Sequence, residues 1–178
     1  MTGRAPQSLA LGDLLRRRLP DGTRPADVLV RAEGEVWAVC AVAEGGALRA
    51  ARWEDGGLVV GGPITATGLV SLRHDVLDRQ LVDAGGRRVT RVGDVVLRPL
   101  DGTLGAIALE VGLRPVFRRL GLRRIATRHR EDLVPVGDVR VGESCVIARV
   151  EREHLDEIET HDLARLVRRL PHAMKRDV

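Results

Sequence analysis

The chain has 178 residues with 29 basic and 25 acidic side chains, which gives a formal net charge of +4. Hydrophobic residues make up 44% and charged residues 30%, a balance too apolar for a disordered chain. Globular domains usually take about 100–200 residues, so the length allows one large domain or two small ones. No apolar run approaches the roughly 20 residues of a membrane-spanning helix, so we do not expect this chain to form a channel.

The N-terminus and the rare residue types indicate a cytoplasmic protein. Residues 1–8 lack the apolar h-region of a secretory signal and are expected to form a flexible tail. Cys40 and Cys145 each lie in an apolar stretch without metal-type spacing, which favours two buried free thiols. Aromatic residues make up only 2%, so few side chains are available for stacking on bases, and we do not expect a nucleic acid partner.

Two segments of the chain, residues 27–45 and 94–112, resemble each other. Each begins with Asp-Val in a valine-rich run, continues into a tight acidic-glycine turn, and ends in a second apolar run. One extra residue in the second turn aligns Gly34 with Gly102. Because glycine suits a reversal with positive φ, each segment is predicted to form a β-hairpin. Chance similarity in a Val/Gly/Arg-rich chain is the alternative interpretation.

Short apolar runs with Gly/Asp turns fill the rest of the first 112 residues. The candidates are a short strand in residues 58–62 that ends in a glycine turn at Gly61-Gly62, and strands at 77–82 and 89–92; this spacing is typical of small barrels or sandwiches. The predicted fold class is mainly β with some α: two tandem small β-barrels followed by a short helical tail. The expected boundaries are 9–72 for the first barrel and 73–150 for the second. Barrels of this size bury little surface alone, so the two are expected to share an interface.

A basic segment interrupts the β pattern at residues 113–130. Its apolar positions recur at helical intervals, which predicts an amphipathic helical insertion. One interpretation is an electrostatic surface for an acidic protein, anionic lipid headgroups or RNA; the other is a helix that caps the barrel while its arginines are solvated. The candidate interaction residues are Arg114, Arg118, Arg119, Arg123, Arg124 and Arg128.

Residues 151–178 are predicted to form short helices, with Thr160 as an N-cap. Such helices cannot bury their faces alone and normally stack in arrays. Acidic side chains crowd the start of this tail, where weak Mg²⁺ association is open but no metal ligand is assigned. The chain has no H-E-x-x-H motif, nucleophile elbow or phosphate loop, so we expect no catalytic residues, no cofactor and no enzyme activity.

The second barrel region resembles a PRC-barrel, the small β-barrel of the photosynthetic reaction-centre H subunit and of a 16S rRNA maturation factor. Residues 76–83, 85–89 and 92–97 carry the resemblance: a strand, a D-x-x-G turn and a V-x-x-V-x-D-V strand. Residues 117–124 and 161–170 are similar to actinobacterial magnesium transporters of the MgtE type, although His161 here directly precedes Asp162. In those proteins a PRC-barrel region precedes a helical superhelix.

The resemblance spans residues 69–178 and implies only the cytosolic front end of such a transporter. The expected function is a non-catalytic regulatory or adaptor module of an MgtE-type magnesium transport system. Its partners would be the remaining transporter domains or another protein, with an anionic membrane surface and a homodimer left open. The location would be cytoplasmic, including the inner face of the membrane. The alternative, by analogy with the maturation factor, is an RNA- or ribosome-associated module.

Overall fold

The computed structural model describes residues 8–22, 24–82, 88–100, 102–112, 132–143 and 145–148. The described chain is mainly β, as the sequence predicts. Its strands are β1 (Leu9–Ala10), β2 (Asp27–Arg31), β3 (Trp37–Glu44), β4 (Ala47–Glu54), β5 (Gly57–Pro63), β6 (Val70–Ser71), β7 (Gln80–Val82), β8 (Arg88–Leu100), β9 (Thr103–Val111), β10 (Asp132–Pro135), β11 (Val139–Val141) and β12 (Cys145–Ala148). Three short helical segments accompany them: α1 (Leu11–Arg16), a π-helical turn (Leu72–Val76) and a 3-10 turn (Val136–Asp138).

Both predicted hairpins are confirmed. Strand β2 pairs antiparallel with β3, and β8 pairs antiparallel with β9. Gly34 and Gly102 lie in the two turns with φ of 68° and 79°. A side chain is strained in this left-handed region, which explains why glycine stands at both reversals.

The two hairpins belong to one hydrogen-bonded sheet of 12 strands that does not close on itself. They meet where β3 pairs with β9, in the register Trp37↔Ala106 and Ala38↔Gly105. Strands β4 and β10 flank β3 and β9, and β5 pairs with β4. The described strands therefore form one continuous sheet and not two separate ones, because the junction is made by backbone pairing as well as by side-chain packing.

Among the residues that the structure describes, one hydrophobic cluster fills the interior. It contains Trp37, 2% exposed, together with Leu11 and Leu14 from α1 and Leu72 and Val76 from the π-helical turn. The two helical segments thus cover the sheet with their apolar side chains. No helix among the described residues is long and apolar enough to cross a membrane.

Some predicted elements differ from the structure. The strand expected at 77–82 is reduced to Gln80–Val82, because the π-helical turn comes just before it and Asp78 adopts φ 62°. That turn also contains the expected domain boundary between residues 72 and 73. The glycine turn expected at Gly61-Gly62 is wrong, because β5 continues through both glycines to Pro63 and pairs with β4 there. Helix α1 was not predicted. Cys40 and Cys145 are free, as predicted, but only half-buried.

Several predictions fall outside the described residues. They are the basic insertion at 113–130 with Arg114, Arg118, Arg119, Arg123, Arg124 and Arg128, and the helical tail at 151–178. These stay predictions.

The junction between the hairpins predicts a sensitive glycine. A methyl group at Gly105 would overlap Val36 Cγ1 and lie 3.0 Å from Leu100 Cδ1, whereas one at Gly62 would meet nothing within 4 Å. We expect Gly105→Ala to lower the free energy of unfolding by about 1–3 kcal/mol, the usual range for overpacking. Gly62→Ala, the matched control, is expected to change it by less than about 1 kcal/mol. Chemical denaturation of both variants measures the difference, and equal values would contradict the packing at the junction.

Candidate functional site

The described residues enclose an open groove of about 820 Å³ between α1, the segment that follows it, the β4–β5 turn and the end of β8. One wall is helical, the opposite wall is the β-turn, and Pro99 lies at the β8 end. The groove is lined by residues of β1, α1, β4, β5 and β8, so the tertiary fold and not a local motif creates it.

Helix α1 is held in place by two buried leucines and by a hydrogen bond to the second hairpin. Leu11 and Leu14 are buried, at 0% and 4% exposure, and the helix packs on β8. The Gly12 N–H donates a hydrogen bond to Asp94 Oδ1 at 3.0 Å, which ties the first turn of the helix to the second hairpin. The Arg17 N–H donates to the Leu14 carbonyl at 3.1 Å and ends the helix. This anchoring places Asp13, Leu14 and Arg17 along one wall of the groove.

The opposite wall is the tight turn between β4 and β5. Asp55 and Gly56 have φ of 48° and 79°, which reverses the chain within two residues. The turn brings Trp53, half-buried, and Leu58, 2% exposed, to the groove. Gly57 lies close to Pro20: a Cβ on Gly57 would be 3.4 Å from Pro20 Cγ. We call the buried apolar lining residues, Leu14, Leu19 and Leu58, the floor of the groove.

The rim of the groove is more basic than acidic. Arg17 and Arg18 are exposed and line it, with Asp13 as the acidic residue among the lining side chains. Arg18 Nη1 donates to the Gly22 carbonyl at 3.2 Å, which fixes this side chain beside the groove. Asp13 lies 3.9 Å from Arg16 in a surface ion pair, so part of its charge is offset. The rim is therefore complementary to a carboxylate or another anion.

One arginine near the groove has a perturbed pKa. The side-chain hydrogen bond and the negative charge of Glu54 raise the pKa of Arg52, which is exposed beside Trp53. Arginine is already charged throughout the physiological range, so this pairing fixes the side chain without creating an acid or a base. Elsewhere in the described ranges, no three histidine, cysteine, aspartate or glutamate side chains form a group that could hold a metal ion.

The arrangement has the chemical features of a binding groove. An apolar floor with guanidinium groups at its rim accommodates a ligand that has an apolar part and a negative charge. This groove was not predicted from the sequence. Its signals were the run Arg16-Arg17-Arg18 and the position of Trp53, one of only two tryptophans.

The fold and the groove define a mainly β protein with an open surface site. Comparisons with protein-family models, with curated proteins and with solved structures find no match for this chain.

Proposed function

We propose that this protein is a non-catalytic interaction module that holds an extended acidic segment of a partner protein in the groove between α1 and the β4–β5 turn. The observation that carries the proposal is the groove itself: a buried leucine floor, a half-buried indole on one wall and two guanidinium groups at the rim. The floor supplies apolar contact area, and the rim supplies specificity for negative charge.

The shape and chemistry of the groove favour a peptide over a small metabolite. The groove is open, so it suits a segment that lies across it more than a ligand that must be enclosed. Trp53 and Leu58 would receive one apolar side chain, and aromatic anchors of this kind often dominate binding energy at interfaces. Arg17 and Arg18, at the rim, would pair with carboxylates of the same segment.

The biological setting follows from the sequence resemblance. We propose that the partner is the cytosolic part of an MgtE-type magnesium transporter, so that the chain acts as its regulatory or adaptor module. The same resemblance underlies the proposal that the two hairpins are copies of a PRC-like unit. Short segments pair with β2 and with β8 in matching registers, and this supports the duplication.

The proposed function predicts that reversing charge at the rim abolishes binding. The cytosolic superhelix and CBS domains of an MgtE-type transporter from the same organism serve as the probe, in a titration followed by Trp53 fluorescence and by calorimetry. We expect Arg17→Glu with Arg18→Glu to weaken binding at least tenfold, because the rim then repels acidic residues. Arg31→Glu with Arg140→Glu, which makes the same change in net charge at exposed positions outside the groove lining, is the matched control and should change affinity less than twofold.

Three results would contradict this function. Equal losses in both double variants would mean that net charge, and not the groove, attracts the probe. Binding of mixed-sequence single-stranded RNA that weakens steeply with salt and depends on Arg17 and Arg18 would support the alternative RNA module instead. Co-sedimentation with anionic vesicles, unaffected by the rim substitutions, would assign the contact to a membrane surface outside the groove.

A further inference from the structure

Two short arms of the chain dock on the hairpins in the same register. The first arm (residues 9–16: β1 and α1) pairs with β8, as Leu9↔Leu97 and Ala10↔Val96. The second arm (residues 70–76: β6 and the π-helical turn) pairs with β2, as Val70↔Val30 and Ser71↔Leu29. When Asp27 is aligned with Asp94, Val30 aligns with Leu97 and Leu29 with Val96. Each arm therefore occupies the same position on its hairpin.

A buried aspartate at the equivalent position of each hairpin accepts a hydrogen bond from the arm. Asp94 Oδ1 accepts the Gly12 N–H at 3.0 Å, and Asp27 Oδ1 accepts the Arg73 N–H at 3.0 Å. Each aspartate also accepts the N–H of the valine that follows it, at 2.8 Å for Val95 and 2.7 Å for Val28. Both carboxylates are buried, at 2% exposure for Asp94 and 4% for Asp27.

The apolar contacts of the two arms correspond as well. Leu11 precedes Gly12, Leu72 precedes Arg73, and both leucines are fully buried in the core. Each arm thus inserts a leucine and donates the next N–H to the aspartate of a hairpin.

Each arm docks on the hairpin other than the one that follows it in sequence. The first arm precedes the first hairpin in sequence but docks on the second hairpin, and the second arm precedes the second hairpin but docks on the first. The pairing β3–β9 follows the same pseudo-twofold relation. Arg31 pairs with Ala38 in the first hairpin and Arg98 with Gly105 in the second, so Ala38 and Gly105 are equivalent, and these two residues pair with each other at the junction. This is the arrangement of a dimer that has exchanged its N-terminal arms, here within one chain.

The segment between the first arm and β2 is held by local surface bonds and by two longer-range contacts: Leu19 is buried in the core at 6% exposure, and the Ala26 N–H donates to the Ala43 carbonyl at 2.8 Å. Gly22 lies in a turn with φ 83°, and its N–H donates to the Leu19 carbonyl at 2.9 Å. Arg24 Nη2 donates to the Arg16 carbonyl at 3.3 Å. Opening this segment breaks these local bonds and costs the burial of Leu19 and the ion pair of Asp21 with Arg49, but it does not change the residues of β8 on which the arm docks. The first arm of a second copy would then make the same contacts as the original arm, which is the condition for domain swapping.

We propose that the first arm is an exchangeable element, and that a second copy of this chain is its partner: in the exchanged dimer, residues 9–16 of each copy dock on β8 of the other. Closed and exchanged forms have the same arm contacts, so their balance depends on the connecting segment and on protein concentration. High concentration during refolding favours exchange, because the arm finds β8 of another copy before the closed form is complete.

Cysteines placed on separate chains detect the exchange. In a background with Cys40→Ala and Cys145→Ala, one chain carries Ala10→Cys and the other Val96→Cys, two positions that face each other across β1 and β8. The chains are unfolded together in reducing denaturant, refolded at low and high concentration, oxidised and separated on a non-reducing denaturing gel. We expect a disulfide-linked dimer after refolding at high concentration. The control mixture pairs the Ala10→Cys chain with a Leu133→Cys chain, whose cysteine is at an exposed position outside the arm contact. The yield of linked dimer should be at least fivefold higher than in this control.

Two further measurements keep the outcome decisive. A single chain with both Ala10→Cys and Val96→Cys should cross-link within itself at low concentration, which shows that the pair can form. Light scattering on the unmodified chain after refolding at high concentration should give twice 19.4 kDa, with slow return to the monomer on dilution. Cross-linking no greater than the control together with a mass of 19.4 kDa at every concentration would overturn the proposal.

Discussion

Replacing Asp27 with alanine is expected to lower the free energy of unfolding by about 3–5 kcal/mol. Its buried carboxylate accepts the Val28 N–H at 2.7 Å, the Arg73 N–H at 3.0 Å and the Ser71 hydroxyl. Alanine would leave these donors without their acceptor in a place with little water, and each unsatisfied buried group costs about 1–3 kcal/mol. Denaturant unfolding measures the loss, with Glu33→Ala, an exposed carboxylate, as the control that should change stability by less than about 0.5 kcal/mol.

The isosteric substitution separates charge from hydrogen bonding at this position. In Asp27→Asn the amide oxygen can still accept both N–H groups, and the Ser71 hydroxyl can turn to accept from the amide nitrogen. We expect this variant to lose only about 1–2 kcal/mol. A loss as large as that of Asp27→Ala would mean that the negative charge, and not the set of hydrogen bonds, stabilises the docked second arm.

Replacing Trp37 with alanine is expected to cost about 3–5 kcal/mol, the usual range for removing a buried tryptophan from a core. Trp37 is 2% exposed and pairs with Ala106 where the two hairpins join, so the cavity would lie at the junction of the sheet. Trp53→Ala is the matched control, since Trp53 is half-buried at the groove wall and should cost about 1–2 kcal/mol. Denaturant unfolding followed by far-ultraviolet circular dichroism compares the two variants.

Fluorescence gives an independent check on the same pair. Trp53→Ala should leave an emission typical of a buried indole, whereas Trp37→Ala, where it still folds, should leave the emission of a partly solvated one. Equal losses of stability, or the reverse order of emission, would contradict the placement of Trp37 at the centre of the junction.

Both predictions concern contacts between parts of the chain that are distant in sequence. Such contacts could not be predicted from local sequence patterns. The hairpins were predictable because their information is local: apolar runs flank turns in which Gly34 and Gly102 take positive φ. Helix α1 was not predictable in the same way, because six residues cannot form a stable helix alone. Its stability comes from Leu11 and Leu14 packing on β8 and from Asp94, which lies 82 residues away from Gly12.

The candidate groove also could not be predicted from local sequence patterns. Arginine-rich residues 16–18 and Trp53 were visible in the sequence, but nothing local places them on facing walls. The wall positions depend on α1 crossing to the second hairpin and on the β4–β5 turn projecting beside it. The basic insertion that the sequence did favour, Arg114 to Arg128, lies outside the described residues and stays a separate prediction.

By itself, the sequence determined a mainly β chain, two hairpins of similar design and the glycine turns within them, since these depend on residues close together along the chain. Only the tertiary structure decided that both hairpins share one sheet, that each arm docks on the remote hairpin, and that a groove forms beside the first arm. The physical reason is that a backbone edge or a buried carboxylate such as Asp27 or Asp94 can accept many partners. Which one it accepts is selected by the simultaneous packing of the whole core.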